Sequence, residues 1–382
     1  MNLFLHTPNS ENNLTEIYQR AFNKAEELFV VTAYLTAWDS SLVLNDKCQR
    51  FRLIIGKDFG ITKKEACRAV MKCLPPERKA QFLVADLISG FHPKAMFWKE
   101  ANSQYFALVG SSNLTLAAFE SNYEANTFFE LKEEEYMAAE EWIASIEKQS
   151  VPVSEDWLDK YVEARQAGCN DGKNNKSDTT NKPIAALKLP TIRFINKLLD
   201  ARRRNLKIYQ QHRKSLIDLF TKCAYGEITS ARFYEQLPQY WSHEVGDRLQ
   251  GNGWERKGAS GNFREVASSY LSILNASSNE RDDVVSREID RLKQLKEPAR
   301  KAFFSEMLCL EFPDKYPVLN APVKSYLRAM KYRAPRNASE GAQYTDLAIK
   351  LRASLAQNRD YPAQSLAELD TVIWHKYSKK KR

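Results

Sequence analysis

The chain has few cysteines and histidines, and no long apolar run. Its six cysteines, Cys48, Cys67, Cys73, Cys169, Cys223 and Cys309, form no Cys-x-x-Cys pair and no repeated spacing. They give neither a disulfide framework nor a zinc site, and read as reduced residues of a cytoplasmic protein. No apolar run reaches membrane-spanning length, so no membrane partner is expected. The opening Met-Asn-Leu-Phe-Leu-His lacks the basic and long apolar regions of a signal peptide. Only five histidines occur in 382 residues; two, His92 and His212, have a lysine two positions on, and of these only His92 is followed by a Gly-Ser-x-Asn run, His212 lying in a helical basic stretch. No ligand cluster with metal-binding spacing is evident, so neither metal nor cofactor is expected.

A hydrophobic content of 43% supports real cores, and the length suits two domains. Charge is divided unevenly between them. Residues 1–150 hold 16 Lys and Arg against 20 Asp and Glu, a balance of −4; with +9 overall, the remainder carries +13. Such an excess in one half suits a polyanion, because each neutralised phosphate releases counterions.

In the first half, strand-like and helix-like runs alternate. Leu3–Leu5, Phe29–Leu35, Arg50–Gly56, Gln81–Ser89, Phe91–Trp98, Phe106–Val109 and Ala125–Leu131 are apolar, β-branched or aromatic. Asn12–Leu28 has helical spacing, Thr62 with Glu65 reads as a capping box, and Glu133–Ile146 opens with an acidic turn. Leu114–Phe119 reads as a short helix that would put Ser112 and Asn113 at its N-terminus. Trp157–Arg165 reads as a closing helix. The pattern predicts an α/β sandwich.

Two of these runs, Phe91–Trp98 and the one ending at Val109, frame Phe-His-Pro-Lys at 91–94, Gly-Ser-Ser-Asn-Leu-Thr at 110–115, and Glu124. His92 and Lys94 are two apart and would share one strand face. An imidazole, an ammonium, a hydroxyl and an amide together suit a phosphate, supplying one nucleophile or acid and several donors. A carboxylate at Glu124 could hold the imidazole in one tautomer.

These residues resemble the phospholipase D superfamily, whose signature is His-x-Lys, then Gly-Ser-x-Asn, then an acidic residue. The resemblance covers residues 1–150 or so, and departs from the fuller motif at Lys99, where the family has Asp. It implies a phospholipase D-like nuclease domain over 1–167 with catalytic residues His92, Lys94, Ser111, Asn113 and Glu124. Family members with one motif per chain pair as homodimers. The resemblance therefore implies that one subunit's His92 attacks phosphorus while the other's protonates the leaving oxygen, with no metal required.

Residues 168–183 are polar and read as a linker. From 184 to 382 the pattern is mainly helical and basic, a separate domain expected to hold nucleic acid. Thr191–Tyr225 carries Arg202, Arg203, Arg204, Lys207, Arg213 and Lys214, and Gly246–Gly261 is glycine-rich with Trp254, Arg256 and Lys257. Arg281–Leu295, Ala299–Glu311, Tyr344–Leu355 and Leu366–Lys376 read as helices. The plan resembles that of the superfamily's restriction-endonuclease branch, which implies a nuclease half with an appended reader, acting on DNA, with RNA left open. Two other readings stay open, a non-catalytic nucleic-acid-binding protein with a degenerate domain and a phospholipase.

Overall fold

β-Branched and aromatic runs bury best on a pleated surface, and in the first part of the chain they assemble into one sheet. The computed structural model describes residues 2–8, 14–164 and 183–378. The polar stretch 168–183, except its last residue, and the tail Lys379-Lys380-Lys381-Arg382 lie outside the described residues. By internal contacts the chain divides into a first unit of residues 1–185 with 333–338 and a second of 186–332 with 339–382.

The first unit holds strands β1 (Asn2–His6), β2 (Glu27–Thr32), β3 (Arg50–Ile55), β4 (Phe82–Val84), β5 (Lys94–Glu100), β6 (Gln104–Gly110), β7 (Glu124–Leu131) and β8 (Val151–Pro152). Their order in the sheet is β1-β7-β6-β5-β2-β3-β4-β8. The β2, β3 and β4 neighbours are parallel and the other pairings antiparallel. Five helices accompany the sheet: α1 (Leu14–Lys24), α2 (Lys64–Cys73), α3 (Leu116–Glu120), α4 (Glu133–Glu147) and α5 (Glu155–Lys160). Leu28 pairs with Phe51 across β2 and β3, so Phe51 and Phe29 point to opposite faces. Phe22 of α1 meets Phe51 edge-on, ring centroids 6.3 Å apart, and Tyr136 of α4 stacks on Phe29 at 6.2 Å. Helices thus cover both faces, and the domain is the α/β sandwich the sequence predicts.

Three local expectations need correction. Thr62 does not cap α2: the cap is Lys63, without a side-chain bond. The Thr62 hydroxyl is instead buried, donating to the Gly56 carbonyl oxygen at 2.7 Å and accepting from the Leu35 N–H at 3.3 Å. The run 81–89 forms only the three-residue β4 before its chain turns away. His92 precedes β5 rather than lying on it.

The second unit is helical: α6 (Ile195–Ala224), α7 (Ser230–Gln236), α8 (Glu255–Gly258), α9 (Phe263–Asn275), α10 (Arg281–Gln294), α11 (Ala302–Glu311), α12 (Ala321–Ala329), α13 (Glu340–Gln357) and α14 (Leu366–Tyr377). Every residue of α11 from Phe303 to Leu310 is buried, so it forms the unit's spine. Phe220 of α6 packs on Tyr270 at 4.5 Å and on Phe233 at 5.0 Å. Cys48, Cys67, Cys223 and Cys309 are buried free thiols, and Cys73 is a half-buried one. No helix among the described residues is long and apolar enough to cross a membrane.

Candidate active site

Antiparallel pairing brings the C-terminal ends of β2 and β6 and the N-terminal ends of β5 and β7 to one end of the sheet. Thr32 lies opposite Lys94, Ala95 opposite Val109, and Gly110 opposite Asn126. Residues opposite each other share a face, so one end of four adjacent strands collects Thr32, Lys94, the 110–113 loop and Glu124. The sequence puts glycine where the chain demands it. A Cβ on Gly110 would overlap the Ala125 carbonyl oxygen and Asn126, and Gly90, at φ +73°, turns the chain just before His92.

His92 is exposed and stands in the loop ahead of β5. Asp58 anchors that loop, accepting the Gly90 N–H at 2.7 Å and the Phe91 N–H at 3.3 Å. The Lys94 ammonium lies 3.1 Å from His92 Nδ1 and donates to the His92 carbonyl oxygen at 3.2 Å. Tyr34 meets the imidazole edge-on, ring centroids 5.7 Å apart. Burial pushes the Lys94 pKa down, and the Glu124 charge pulls partly the other way. Lys94 is thus less firmly protonated than a surface lysine.

Asn113 sits in the loop between β6 and α3 with its orientation fixed. The Tyr34 backbone N–H can only donate, so the side-chain atom 3.2 Å from it is Oδ1, which also lies 3.2 Å from the Thr32 hydroxyl. The Nδ2 end is therefore the one that can donate elsewhere. The expected helix N-terminus at Ser112 and Asn113 is not there: α3 has five residues, and Thr115 caps it by accepting the Ala118 N–H at 3.1 Å. Ser112 is buried and accepts from Asn126 Nδ2 at 2.8 Å.

The carboxylate of Glu124, 9% exposed, accepts from the Ser111 hydroxyl and from Asn122 Nδ2, the latter at 3.1 Å. Ser111 Oγ accepts the Ala125 N–H at 2.9 Å. This corrects two expectations. Ser111 directs its single proton to Glu124, so it braces that carboxylate rather than offering a donor to phosphate. Glu124, for its part, takes its hydrogen bonds from Ser111 and Asn122 rather than from the imidazole. Lys99 is five residues along β5 from Lys94, about 17 Å away at strand spacing. It pairs there with Glu27 at 3.6 Å and takes no part at this end of the sheet. Sequence reasoning missed Thr32, Tyr34, Asp58 and Asn126. Only Gly90, an obvious turn residue, hinted at the Asp58 anchor.

The basic residues of the second unit divide. Arg202 is buried, bonded to Asp370 Oδ2 and the Leu249 carbonyl oxygen, both at 3.2 Å, so it is a core residue and not a surface one. Arg203 pairs with Glu368 at 2.7 Å, and Arg213 grips Glu311 through two nitrogens. Arg204, Lys207 and Lys214 are exposed and, at spacings of three and seven, share one face of α6. Arg256 and Lys257 are exposed on α8. Trp254 is no free loop aromatic: it packs on Phe303 with centroids 4.7 Å apart. Among the described residues, no group of three or more His, Cys, Asp and Glu side chains could hold a metal ion.

Residues 12–156 match the family model described as the NgoFVII restriction endonuclease N-terminal PLD domain. Solved structures with likeness to the chain include NucT from Helicobacter pylori, 15% identical over 40% of this chain and 98% of that one, TM-score 0.30. Another is Nuc from Salmonella typhimurium, a phospholipase D family member, 17% identical over 40% of this chain and 99% of that one, TM-score 0.30. No curated protein sequence matches.

Proposed function

We propose, from the premise that residues 12–156 are a phospholipase D superfamily domain, that this chain is a metal-independent endonuclease hydrolysing DNA phosphodiester bonds through a phosphohistidine. The observation that carries the reading is the convergence of His92, Lys94, Asn113 and the braced Glu124 at one end of four adjacent strands. Each supplies one of the functions that phosphoryl transfer needs: a nucleophile, a cation, an amide donor and a fixed negative charge.

A ring nitrogen of His92 attacks phosphorus, and the bond to the leaving oxygen breaks. That oxygen takes a proton from His92 of a second subunit. The second imidazole then removes a proton from water, whose oxygen attacks phosphorus and breaks the nitrogen–phosphorus bond. One His92 cannot be nucleophile and general acid in the same step, which is why the active species is a homodimer joined through this domain. Exposed Tyr123, beside Glu124, and Val109, at the end of β6, give a partner apolar surface next to the site. Lys94 and Asn113 Nδ2 stabilise the charge that builds on the non-bridging oxygens.

The second unit supplies affinity. Arg204, Lys207, Lys214, Arg256 and Lys257 neutralise backbone phosphates, a contribution that weakens as salt rises. This appended, basic half suits a restriction or phage-defence enzyme, whose setting is cytoplasmic. The test is to mix the full chain with DNA labelled at internal phosphates and quench in alkaline detergent, where a phosphohistidine survives. Label on the peptide that contains His92, absent in His92→Ala, is the expected result. Cleavage without any labelled protein at single-turnover times would refute the covalent step.

A further inference from the structure

A cavity of about 380 Å³, unused by the chemistry above, opens between the segment after β2 and the segment after β6. It falls within the 300–1,000 Å³ typical of small-molecule sites. Its floor includes buried Leu114, its walls the half-buried rings of Trp38 and Phe119, and its rim the exposed carboxylates of Asp39 and Glu120. The walls are fixed: Trp38 is met edge-on by Phe22 at 5.8 Å and Phe119 by Tyr18 at 5.5 Å.

The cavity shares its backbone with the catalytic constellation. Leu114 and Thr115 directly follow Asn113, so the lining starts within about 7 Å of chain from the Asn113 Cα. On the other side, Leu35 forms a parallel bridge with Leu114, and the Thr36 N–H donates to the Leu114 carbonyl oxygen at 3.2 Å. Tyr34, which touches His92, begins that same segment.

The lining is selective. Two carboxylates repel a phosphate, and flat aromatic walls favour a planar ring over a sugar or an aliphatic chain. Carboxylates at the rim accept hydrogen bonds from amino groups. A nucleobase meets all three conditions. We infer that this cavity receives the base next to the scissile phosphate, turned out of the stack, and favours the amino-bearing bases adenine, cytosine and guanine over thymine. Turning a base out costs least in a single strand, so unpaired DNA is the better substrate at this subsite. The inference rests on the nuclease reading, which supplies the neighbouring phosphate.

Dinucleotides hold a single phosphodiester, which fixes the register. With the full chain, kcat/KM is measured for the deoxyadenosine and thymidine dinucleotides and for analogues lacking one base. Removing the base should lower kcat/KM about 5- to 150-fold, the equivalent of one base–aromatic stack. Phe119→Leu should narrow that ratio, and Glu120→Gln should erase the preference for adenine over thymine. Equal kcat/KM with and without the base, or unchanged ratios in both variants, overturns the inference. Binding to the His92→Asn chain, read by broadening of base proton signals in NMR, separates the two ideas. Base-dependent broadening without any cleavage by the natural chain supports the pocket and counts against the nuclease. Cleavage with no base dependence does the reverse.

Discussion

Replacing Arg202 with alanine strands a buried anion rather than removing a DNA contact. The Arg202 and Asp370 side chains are 5% and 1% exposed, and Asp370 keeps only Asn320 Nδ2, at 3.1 Å, once the guanidinium is gone. Burial already pushes the Asp370 pKa up, and Arg202 is the charge that opposes this. Breaking a buried pair from one side costs about 3–5 kcal/mol, against a total stability of about 5–15 kcal/mol. In urea, at roughly 2–3 kcal/mol per molar, the midpoint should fall by about 1–2.5 M. Replacing both partners with apolar residues, Arg202→Met with Asp370→Leu, should recover most of the loss, because no charge is left unpaired. Arg204→Ala, two positions on and exposed, should stay within about 0.5 kcal/mol of the natural chain. If Arg202→Ala is as stable as Arg204→Ala and loses DNA affinity instead, the buried placement of Arg202 is wrong.

Three further outcomes follow from named contacts. Burial raises the Glu306 carboxyl from 4.5 to about 7. Its folded state therefore holds the proton more tightly than the unfolded chain, and stability present below pH 4.5 is lost as pH rises through 7. The loss approaches about 3 kcal/mol, and Glu306→Gln should remove it, so urea midpoints of variant and natural chain should diverge from pH 5 to pH 8. Parallel pH profiles would contradict this. Asn113→Asp keeps the acceptor for the Tyr34 N–H but loses the Nδ2 donor, so single-turnover cleavage should slow about 10²- to 10³-fold with little change in thermal midpoint; an unchanged rate would take Asn113 out of the site. Thr62→Ala leaves a buried carbonyl and N–H short of a partner and should cost about 1–3 kcal/mol in urea unfolding, while Glu65→Ala should cost less than about 0.5 kcal/mol. The opposite ranking would restore the capping box.

The strand pattern of the first half was legible because apolar and β-branched runs stop at glycines and polar turns. Thus β1, β2, β3, β6 and β7 fall within a few residues of where periodicity puts them. The motif residues were legible as residue types at a spacing, but their partners were not. Whether Ser111 gives its proton to Glu124 or to a ligand depends on strand register, which places Gly110 against Asn126 and so Ser111 beside Ala125. Asp58 is far from His92 in sequence, and nothing local marks it as the acceptor that shapes the 90–91 turn. In the second half, α7, α9 and α12 went unread. The Asn320 cap and Pro322 that open α12 were visible start signals, with the Asn320 side chain accepting the Val323 N–H at 3.0 Å. The Arg202 to Arg204 run illustrates the limit most clearly. Consecutive helical residues point about 100° apart, so three identical neighbours meet three different environments: core, ion pair and solvent.

The central claim, that His92 carries DNA hydrolysis without a metal, is tested most directly by incubating the full chain with plasmid DNA in excess EDTA. Nicked and linear products from the natural chain, and none from His92→Ala at equal folded concentration, are the predicted result. Cleavage that appears only on adding magnesium, or that survives in His92→Ala, would contradict it.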